Sequence, residues 1–261
     1  MTAIPTRSGT NTISATATKR HFTGKIALTD HDRRLTYALR HKAYSHAGYL
    51  QDAGTHSFSD IYDEFETSKT VLIYRDRIPV GSARLCLMDP TSASSVPIPA
   101  MKIFHEEINQ ILNQHTERSE GARAVEITRL ARDPECLDDV RISFALFRMV
   151  GYLILSVQSD VVFVTVTRNH EPFYRRMGYR MICPPRDYDG LDVKTGLMAC
   201  FRSDFSNVQR NVAFLRGLAT SDDMYKRFMS GQEIEALPEE LLSHPSFRPR
   251  VHHPQHTETA A

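Results

Sequence analysis

The chain has 261 residues and a formal net charge of +1, from 32 Lys and Arg against 31 Asp and Glu. This balance argues against a general nucleic-acid binder or a polybasic membrane protein, because such partners require a large positive excess. Hydrophobic residues make up 41% and charged residues 24%, which is typical of a globular protein rather than a disordered one.

The sequence carries no signal for export or membrane insertion. No apolar run is long enough to span a membrane, and residues 1–22 lack the apolar centre of a secretory signal. The four cysteines have neither metal-ligand nor disulfide-framework spacing. We therefore expect a cytoplasmic protein with reduced thiols and no metal site.

Four segments are predicted along the chain. Strand-like and helix-like patterns alternate over residues 23–206, which is typical of a mixed α/β domain. Residues 207–245 read as a helical extension, interrupted at Leu237-Pro238. Residues 1–22 and 246–261 are small and polar or rich in Pro and His, so we predict flexible tails there.

Local patterns place the first elements of the domain. Thr29 and Asp32 have capping-box spacing and predict a helix from about Asp32 to His46. Two runs rich in β-forming residues, Lys69–Arg75 and Val80–Met88, predict a β-hairpin.

The second half of the domain is predicted from periodicity. Ala124–Ala131 reads as a strand, and apolar residues spaced by three and four predict a helix over Arg141–Gln158. The β-branched run Val161–Thr167 is typical of a strand covered on both faces. The remaining predictions are a short helix over Glu171–Met177, a strand from Tyr179 and a strand near Gly196–Phe205.

Five short phrases occur in a fixed order. They are LRHKAY at 39–44, DIYD at 60–63, GSARL at 81–85, VEITRL at 125–130 and NHEPFYRRMGY at 169–179. The ordered set resembles the FeeM-type N-acyl amino acid synthases and the related acyl-homoserine-lactone (autoinducer) synthases. Both belong to the GCN5-related N-acetyltransferase (GNAT) superfamily. The resemblance covers roughly residues 35–205.

This resemblance implies a fold and an activity. The fold is the α/β (α+β) GNAT-like acyl-CoA N-acyltransferase fold, a central mixed twisted sheet flanked by helices, here with an extra C-terminal helical segment. The activity is transfer of a fatty acyl group from an acyl carrier protein thioester to the α-amine of an amino acid. No tightly bound cofactor is implied, because the donor is a phosphopantetheine thioester or acyl-CoA.

One segment departs from the superfamily pattern. A glycine-rich turn normally presents backbone N–H groups to the pyrophosphate of coenzyme A at a helix N-terminus. Residues 132–139 read RDPECLDD instead, without glycine and with several carboxylates. Because like charge disfavours an anion, this segment favours a carrier-protein thioester over acetyl-CoA.

Three residues are candidates for the chemistry. An amine nucleophile must lose a proton before it attacks a thioester, and Glu126 is the predicted base, its pKa raised by burial. By resemblance, Tyr174 protonates the departing thiolate, although core packing explains the same residue. Arg129 is predicted to position an aspartate or to hold a substrate carboxylate. Strand alternation places Arg129 opposite Glu126 unless a bulge re-aims it.

The first three phrases supply the candidate acceptor site. Arginines can grip an amino-acid carboxylate in a forked pair. The alternative is a structural ion network that also includes Glu126 and Arg129. The candidate acceptor residues are Arg40, Tyr44, Asp60, Asp63 and Arg84.

The acyl chain and the donor have separate predicted surfaces. An apolar slot between the strands at 124–131 and 161–167, backed by the helix at 141–158, is expected to hold the chain, lined by Val125, Ile127, Leu146, Met149 and Phe163. A basic stretch with one acidic residue, Glu171, is expected to dock the acidic carrier protein; the alternative is a solvated helix face. The docking candidates are Arg168, Arg175, Arg176 and Arg180, followed by Arg186.

Three other functions remain open. An autoinducer synthase would acylate S-adenosylmethionine, but those enzymes carry an acid where this chain has Phe58, and they favour a tryptophan that this chain lacks. A GNAT acetyltransferase would use acetyl-CoA, and the missing glycine turn disfavours it. A non-enzymatic module that binds acyl chains or a partner protein is the third.

Overall fold

The computed structural model describes residues 21–50, 54, 56–114, 121–188, 191–238 and 241. Within them the strands are β1 (Phe22–Ile26), β2 (Ser68–Arg75), β3 (Ile78–Met88), β4 (Ala124–Arg132), β5 (Val161–Val166), β6 (Arg180–Asp187), β7 (Lys194–Phe201) and β8 (Ile234–Glu235). The helices are α1 (Asp30–His46), α2 (Met101–Gln114), α3 (Arg141–Val157), α4 (Glu171–Arg176), α5 (Arg202–Asn211) and α6 (Asp223–Met229).

The strands form one sheet in the order β6-β7-β5-β4-β3-β2-β1-β8. All neighbours for which a direction is given run antiparallel except β4 and β5, which are parallel. The crossover from β4 to β5 is α3, as a parallel connection requires. The predicted mixed sheet flanked by helices is confirmed.

Two hydrophobic clusters cover the two faces of the sheet. On one face, Val125 and Ile127 of β4 pack with α3, α6 and β8. On the other, Ala124 of β4 and Phe163 of β5 pack with α2. Alternation along β4 therefore turns Glu126 towards the α2 face, where α1 also contributes side chains.

The N-terminal helix begins where the sequence predicts. The Thr29 side chain accepts from the Asp32 N–H, and the Asp32 carboxylate accepts from the Thr29 N–H, so both halves of the capping box are present. The buried residues of α1 include Leu39 and Arg40, so the helix presents one arginine inward.

Two elements were not predicted, and two segments differ from their prediction. The strand β1 is short, and α2 lies in a stretch where no helix was expected. The strand near Gly196–Phe205 ends at Phe201, where α5 begins. The extension at 207–245 is not wholly helical, because β8 pairs with β1 and places Ile234 in the core.

The tails are largely outside the described residues. Phe22, assigned to the N-terminal tail, instead begins β1 and is only 1% exposed. The predicted tails at 1–20 and 246–261 lie outside the described residues. All four cysteines are buried and free. Among the described helices, none combines the length and apolar character needed to cross a membrane.

Candidate active site

A β-bulge in β4 shapes the centre of the site. Ser82 pairs with Ala131 and Arg84 with Thr128, so one residue of β3 lies opposite two residues of β4. Arg129 sits in this bulge with φ of 53°, a left-handed conformation that is uncommon for a residue with a side chain. Such strain costs about 1–3 kcal/mol and persists only where the surroundings enforce it.

The bulge turns Arg129 towards the same side as Glu126. Its Nε and Nη2 lie 2.9 and 2.7 Å from Asp60 Oδ2, which holds the side chain in place. Strand alternation alone would place Arg129 on the face opposite Glu126, and the bulge moves it to the same face.

Asp60 and Asp63 are held by a capped turn. The Asp60 carboxylate accepts from the Tyr62 N–H at 2.9 Å, and the Asp63 carboxylate accepts from the Asp60 N–H at 3.1 Å. This reciprocal capping closes the 3₁₀ turn Ile61–Asp63. The three-residue spacing of the DIYD phrase thus fixes both carboxylates on one side of the turn.

Three arginines converge on these two carboxylates. Arg40 Nη1 donates to both carboxylate oxygens of Asp63, at 2.8 and 2.9 Å. Arg84 forms a fork with Asp60 at 2.6 and 3.0 Å and also reaches Asp63 at 2.9 Å. With Arg129 these residues join four of the five phrases in one network of three positive and two negative charges. We call Arg40, Asp60, Asp63, Arg84 and Arg129 the arginine cluster.

The cluster is deeply buried. Arg40 and Arg84 are 0% exposed, whereas the side chain of Arg129 retains 11% exposure. Burial alone would raise the pKa of Asp60, but the Arg84 hydrogen bond and the charges of Arg84 and Arg129 outweigh it and hold that pKa well below its usual range. Among the three arginines of the cluster, Arg129 is thus the one best placed to contact a ligand.

Glu126 lies beside the cluster and is fully buried. Its Oε2 accepts from the Ala100 N–H at 2.6 Å and its Oε1 from the Thr165 hydroxyl at 3.4 Å. Burial raises the pKa of Glu126 to about 7, although the Ala100 N–H and the charge of Arg84 act in the opposite direction. This carboxyl therefore changes protonation near neutral pH.

A cavity opens where β4 and β5 separate. The two strands pair only from Ala124 with Val161 to Ile127 with Val164, although both continue further. The gap holds a cavity of about 350 Å³, which we call the cleft. Thr165 lines the cleft while bonded to Glu126, so it links the buried carboxyl to the open space. Other residues of the cleft wall include Arg129, Phe147, Tyr174 and Tyr188.

The predicted acyl-chain residues are mostly elsewhere. Ile127 lines the cleft, but Val125, Leu146, Met149 and Phe163 are fully buried in the core. Val125 and Phe163 lie where β4 and β5 are still paired. Leu146 and Met149 point towards the neighbouring strands, within about 3 Å of where a Cβ would stand on Gly81 and Gly24, respectively.

Tyr174 lies between the core and the cleft. Its ring packs edge-on against Phe147 and Tyr179, with centroids 5.7 and 5.4 Å away. Burial, and secondarily Tyr44, raise the pKa of Tyr174 above its usual value. A phenol in this environment keeps its proton, which suits either packing or proton donation.

Aromatic rings cover Arg129. Its Cζ lies 4.7 Å from the centroid of Phe58 and 5.9 Å from that of Tyr44, within cation–π range. Tyr44 also lines the cleft. Phe58, the departure from the autoinducer-synthase pattern, therefore presents a ring face to Arg129 where an acid would present a charge.

Three of the four carboxylates that replace the glycine turn, those of Asp133, Glu135 and Asp139, are paired within the chain. Lys42 lies 2.9 Å from Asp133 and 2.7 Å from Glu135. Asp139 accepts from the Arg141 N–H at 3.3 Å and from the Arg141 guanidinium at 2.7 Å. A carboxylate thus already lies against the first N–H of α3.

The predicted docking arginines differ from one another. Arg175 pairs with Glu171 and Arg180 with Asp204, each at 2.7 Å, and Arg186 pairs with Glu107. Arg168 and Arg176 are exposed, and neither forms an ion pair with another described residue. Among the five predicted docking arginines, Arg168 and Arg176 are therefore the two without an ion pair to a described residue, and we call them the basic patch.

Three functional groups were missed from the sequence. The Ala100 N–H and Tyr188 come from loops whose position depends on tertiary packing. Thr165 is the one hydroxyl residue inside the otherwise apolar β5, VVFVTV, and that interruption was a usable signal. It marks where the strand faces the cleft.

An eight-stranded sheet whose parallel pair opens around a cleft is the arrangement of the GNAT-like fold. The solved structure of FeeM, an N-acyl amino acid synthase from uncultured soil microbes, superposes with a TM-score of 0.60 and 17% identity, covering 73% of this chain and 95% of FeeM. The autoinducer (acyl-homoserine-lactone) synthase LasI superposes with a TM-score of 0.51 and 17% identity, covering 69% of this chain and 90% of LasI. The predicted fold is confirmed.

The family follows from the sequence itself. Residues 36–200 match the family model described as N-acyl amino acid synthase FeeM. The match spans well over half of the chain, so this chain belongs to the FeeM family and is an acyltransferase. A comparison with curated protein sequences gave no match.

Proposed function

We propose that this protein transfers a fatty acyl group from an acyl carrier protein thioester to the α-amine of an amino acid. The observation that carries the proposal is the buried Glu126, which titrates near pH 7 and contacts the cleft through Thr165. A base poised near the working pH is what deprotonation of an amine requires.

The acceptor carboxylate is held by Arg129. The arginine cluster has three positive and two negative members, which leaves one positive charge for a substrate anion. Arg40 and Arg84 are fully buried and engaged with both aspartates, so they position the cluster. Arg129 is the member that faces the cleft and therefore grips the substrate.

Deprotonation and attack follow from this placement. The ammonium of the acceptor gives one proton to Glu126 through the Thr165 hydroxyl. The nitrogen then bonds to the thioester carbonyl carbon while the carbonyl electron pair moves to oxygen. Collapse of this intermediate breaks the carbon–sulfur bond.

Tyr174 completes the proton balance. It gives its proton to the departing thiolate and recovers one from the nitrogen. The products are an amide, a thiol and one proton released from Glu126 to solvent. Burial raises the pKa of Tyr174, so the phenol still carries its proton when the thiolate forms, and the nitrogen replaces that proton as it is given up.

The carrier protein as donor is supported by charge. Lys42 engages Asp133 and Glu135, and Arg141 engages Asp139. The Asp139 carboxylate lies against the first N–H of α3, where a coenzyme A pyrophosphate would need donors. The exposed basic patch offers complementary charge to an acidic carrier.

The acceptor is a simple amino acid in this proposal. S-adenosylmethionine carries a sulfonium cation, and Phe58 supplies a ring where the autoinducer synthases have an acid. The uncompensated charge of the arginine cluster is positive, which suits an acceptor whose dominant feature is its carboxylate.

A donor and acceptor matrix tests the proposal. Purified protein is incubated with acyl carrier protein or coenzyme A thioesters of the same acyl group, and with an amino-acid mixture or S-adenosylmethionine. Products are identified by mass spectrometry, with Glu126→Gln as the inactive control. We expect N-acyl amino acids from the carrier thioester. Acyl lactone as the main product, or equal turnover with coenzyme A, would contradict the proposal.

A further inference from the structure

A second cavity lies behind the cleft. It has a volume of about 90 Å³ and is bounded by α3, α5 and the 3₁₀ turn Ala213–Leu215. Its walls are apolar, and its amide side chain, Gln209, donates to the Leu218 carbonyl. We call this cavity the chamber. Residues of its wall include Val150, Gly151, Ile154, Val208, Leu215 and Leu218.

The chamber and the cleft share one wall. Phe147 of α3 lines both cavities, with Ser143 and Val140 towards the cleft and Val150 and Gly151 towards the chamber. These residues follow helical spacing on one face of α3, so the two cavities lie along a single line of the helix.

The shared wall is aromatic. The ring of Phe147 contacts Tyr174 on the cleft side, and Tyr174 packs edge-on against Tyr179, which lines the chamber. Phe147 also lies 6.3 Å, between ring centroids, from Phe214. The side chain of Phe147 therefore separates the two spaces.

Much of the chamber belongs to this chain rather than to the family core. Phe205, Val208, Leu215 and Leu218 all follow residue 200, where the family match ends. The C-terminal segment therefore builds an apolar space directly behind the site. None of the candidate catalytic residues lines the chamber. Tyr174 only contacts two residues of its wall, Phe147 and Tyr179.

The geometry points to a chain-length site. The chamber receives the distal methylenes of a long saturated acyl chain whose thioester lies in the cleft, and Phe147 is the specificity-determining gate between them. This inference rests on the proposed function for the identity of the ligand. The apolar lining and the continuity through Phe147 favour a hydrocarbon tail as the occupant.

Gly151 offers a sharp way to fill the chamber. A Cβ placed there would lie 2.7 Å from Leu218 Cδ1 and 3.4 Å from Leu215 Cδ2, both ends of flexible side chains. The methyl group of Gly151→Ala would therefore displace leucine side chains within the chamber. Alanine also favours the helix more than glycine does, so the variant is expected to fold.

Binding of free fatty acids provides the decisive test. Dodecanoate and hexanoate are titrated by calorimetry into wild type, Gly151→Ala, Phe147→Leu and the control Ser156→Ala, which lies on the same helix and lines neither cavity. Gly151→Ala should weaken dodecanoate binding at least about fourfold, the value of one buried methylene, without a comparable change for hexanoate. Phe147→Leu should strengthen the binding of dodecanoate without a comparable change for hexanoate.

The outcomes separate the inference from the proposed function. If Gly151→Ala weakened the binding of both fatty acids equally, or of neither, the assignment of the chamber as the chain-length site would be overturned. If Phe147→Leu left the preference for dodecanoate over hexanoate unchanged, the role of Phe147 as the gate would be overturned. Carrier-thioester turnover is measured in parallel. Absence of N-acyl product with selective dodecanoate binding intact would reject the proposed function while leaving the chamber standing.

Discussion

The two halves of β4 behave differently. From Ala124 to Ile127 the strand is paired on both sides, with β3 and with β5, and it holds Glu126 in a fully buried position. From Thr128 onward it pairs only with β3, bulges at Arg129 and forms the wall of the cleft. In the proposed mechanism, the paired half holds the proton acceptor and the open half lines the site of the substrate.

The short phrase VEITRL crosses from one half to the other, so it contains both the buried Glu126 and the cleft residue Arg129. A rigid, dry strand raises the pKa of a carboxyl, whereas an open strand allows ligand entry. Because both halves belong to one strand, Glu126 is separated from the cleft by one hydroxyl group, that of Thr165, which is the proton path in the proposed mechanism.

The largest expected effect comes from the paired half. Glu126→Gln should lower kcat by roughly 10²–10⁴-fold, because the amide keeps the shape but accepts no proton. Steady-state assays with the carrier thioester measure the loss, and circular dichroism checks the fold. Retained turnover in a folded variant would remove Glu126 from the mechanism.

The arginine cluster should be the next most sensitive region. Arg84→Met should destabilise the fold by about 3–5 kcal/mol, because it leaves the carboxylates of Asp60 and Asp63 buried with fewer partners. The matched control Lys42→Met breaks ion pairs of an exposed lysine and should cost under about 1 kcal/mol. Urea denaturation measures both, and similar losses would contradict the distinction.

Thr165 tests the link between the two halves. Thr165→Val removes the hydroxyl that bonds Glu126 and should lower kcat about tenfold, a fraction of the full general-base contribution. Thr195→Val is the matched control, because Thr195 also lines the cleft while its buried hydroxyl has no described partner. Equal effects of the two variants would indicate packing rather than proton transfer.

The smallest effect is expected at the basic patch. Charge reversal at Arg168 or Arg176 should raise KM for the carrier thioester several-fold, more strongly at low salt, because screening weakens docking. Arg34→Glu, on the first turns of α1, carries the same charge change away from the cleft. A response of Arg34→Glu equal to that of the patch would argue for net charge rather than docking.

Local signals accounted for much of the fold. The capping box at Thr29, the hairpin of β2 and β3, and the periodicity of α3 depend on neighbours in sequence, so they were predictable. The missed α2 has buried residues at Phe104, Ile108 and Ile111, a helical spacing that the sequence does contain. The short β1 is defined mainly by its pairing with β2 and β8, which no local pattern encodes.

The site was predictable in membership more than in geometry. Four of the five phrases contain Arg40, Asp60, Asp63, Arg84 and Arg129, and the structure brings these five residues together. The direction of Arg129 depended on a bulge set by the register of β3. The cleft wall depended on where β4 and β5 separate, so residues such as Leu146, predicted as pocket, are core instead.

The pH dependence of stability tests most directly whether the paired half of β4 holds a proton acceptor near neutral pH. The pKa of Glu126 is raised from 4.5 to about 7, so the folded state retains its proton longer than the unfolded state. Stability from this group is therefore greatest below about pH 4.5 and falls as pH rises to about 7, by about 3 kcal/mol in total.

Wild type and Glu126→Gln should therefore be compared by chemical denaturation across this range. Glutamine does not ionise, so the free energy of unfolding of the variant should rise relative to that of wild type as pH rises. The difference between the two should grow by about 3 kcal/mol between pH 4.5 and pH 8. A stability difference that stays constant across the range would contradict a raised pKa at Glu126, and with it the central role of this residue as the base.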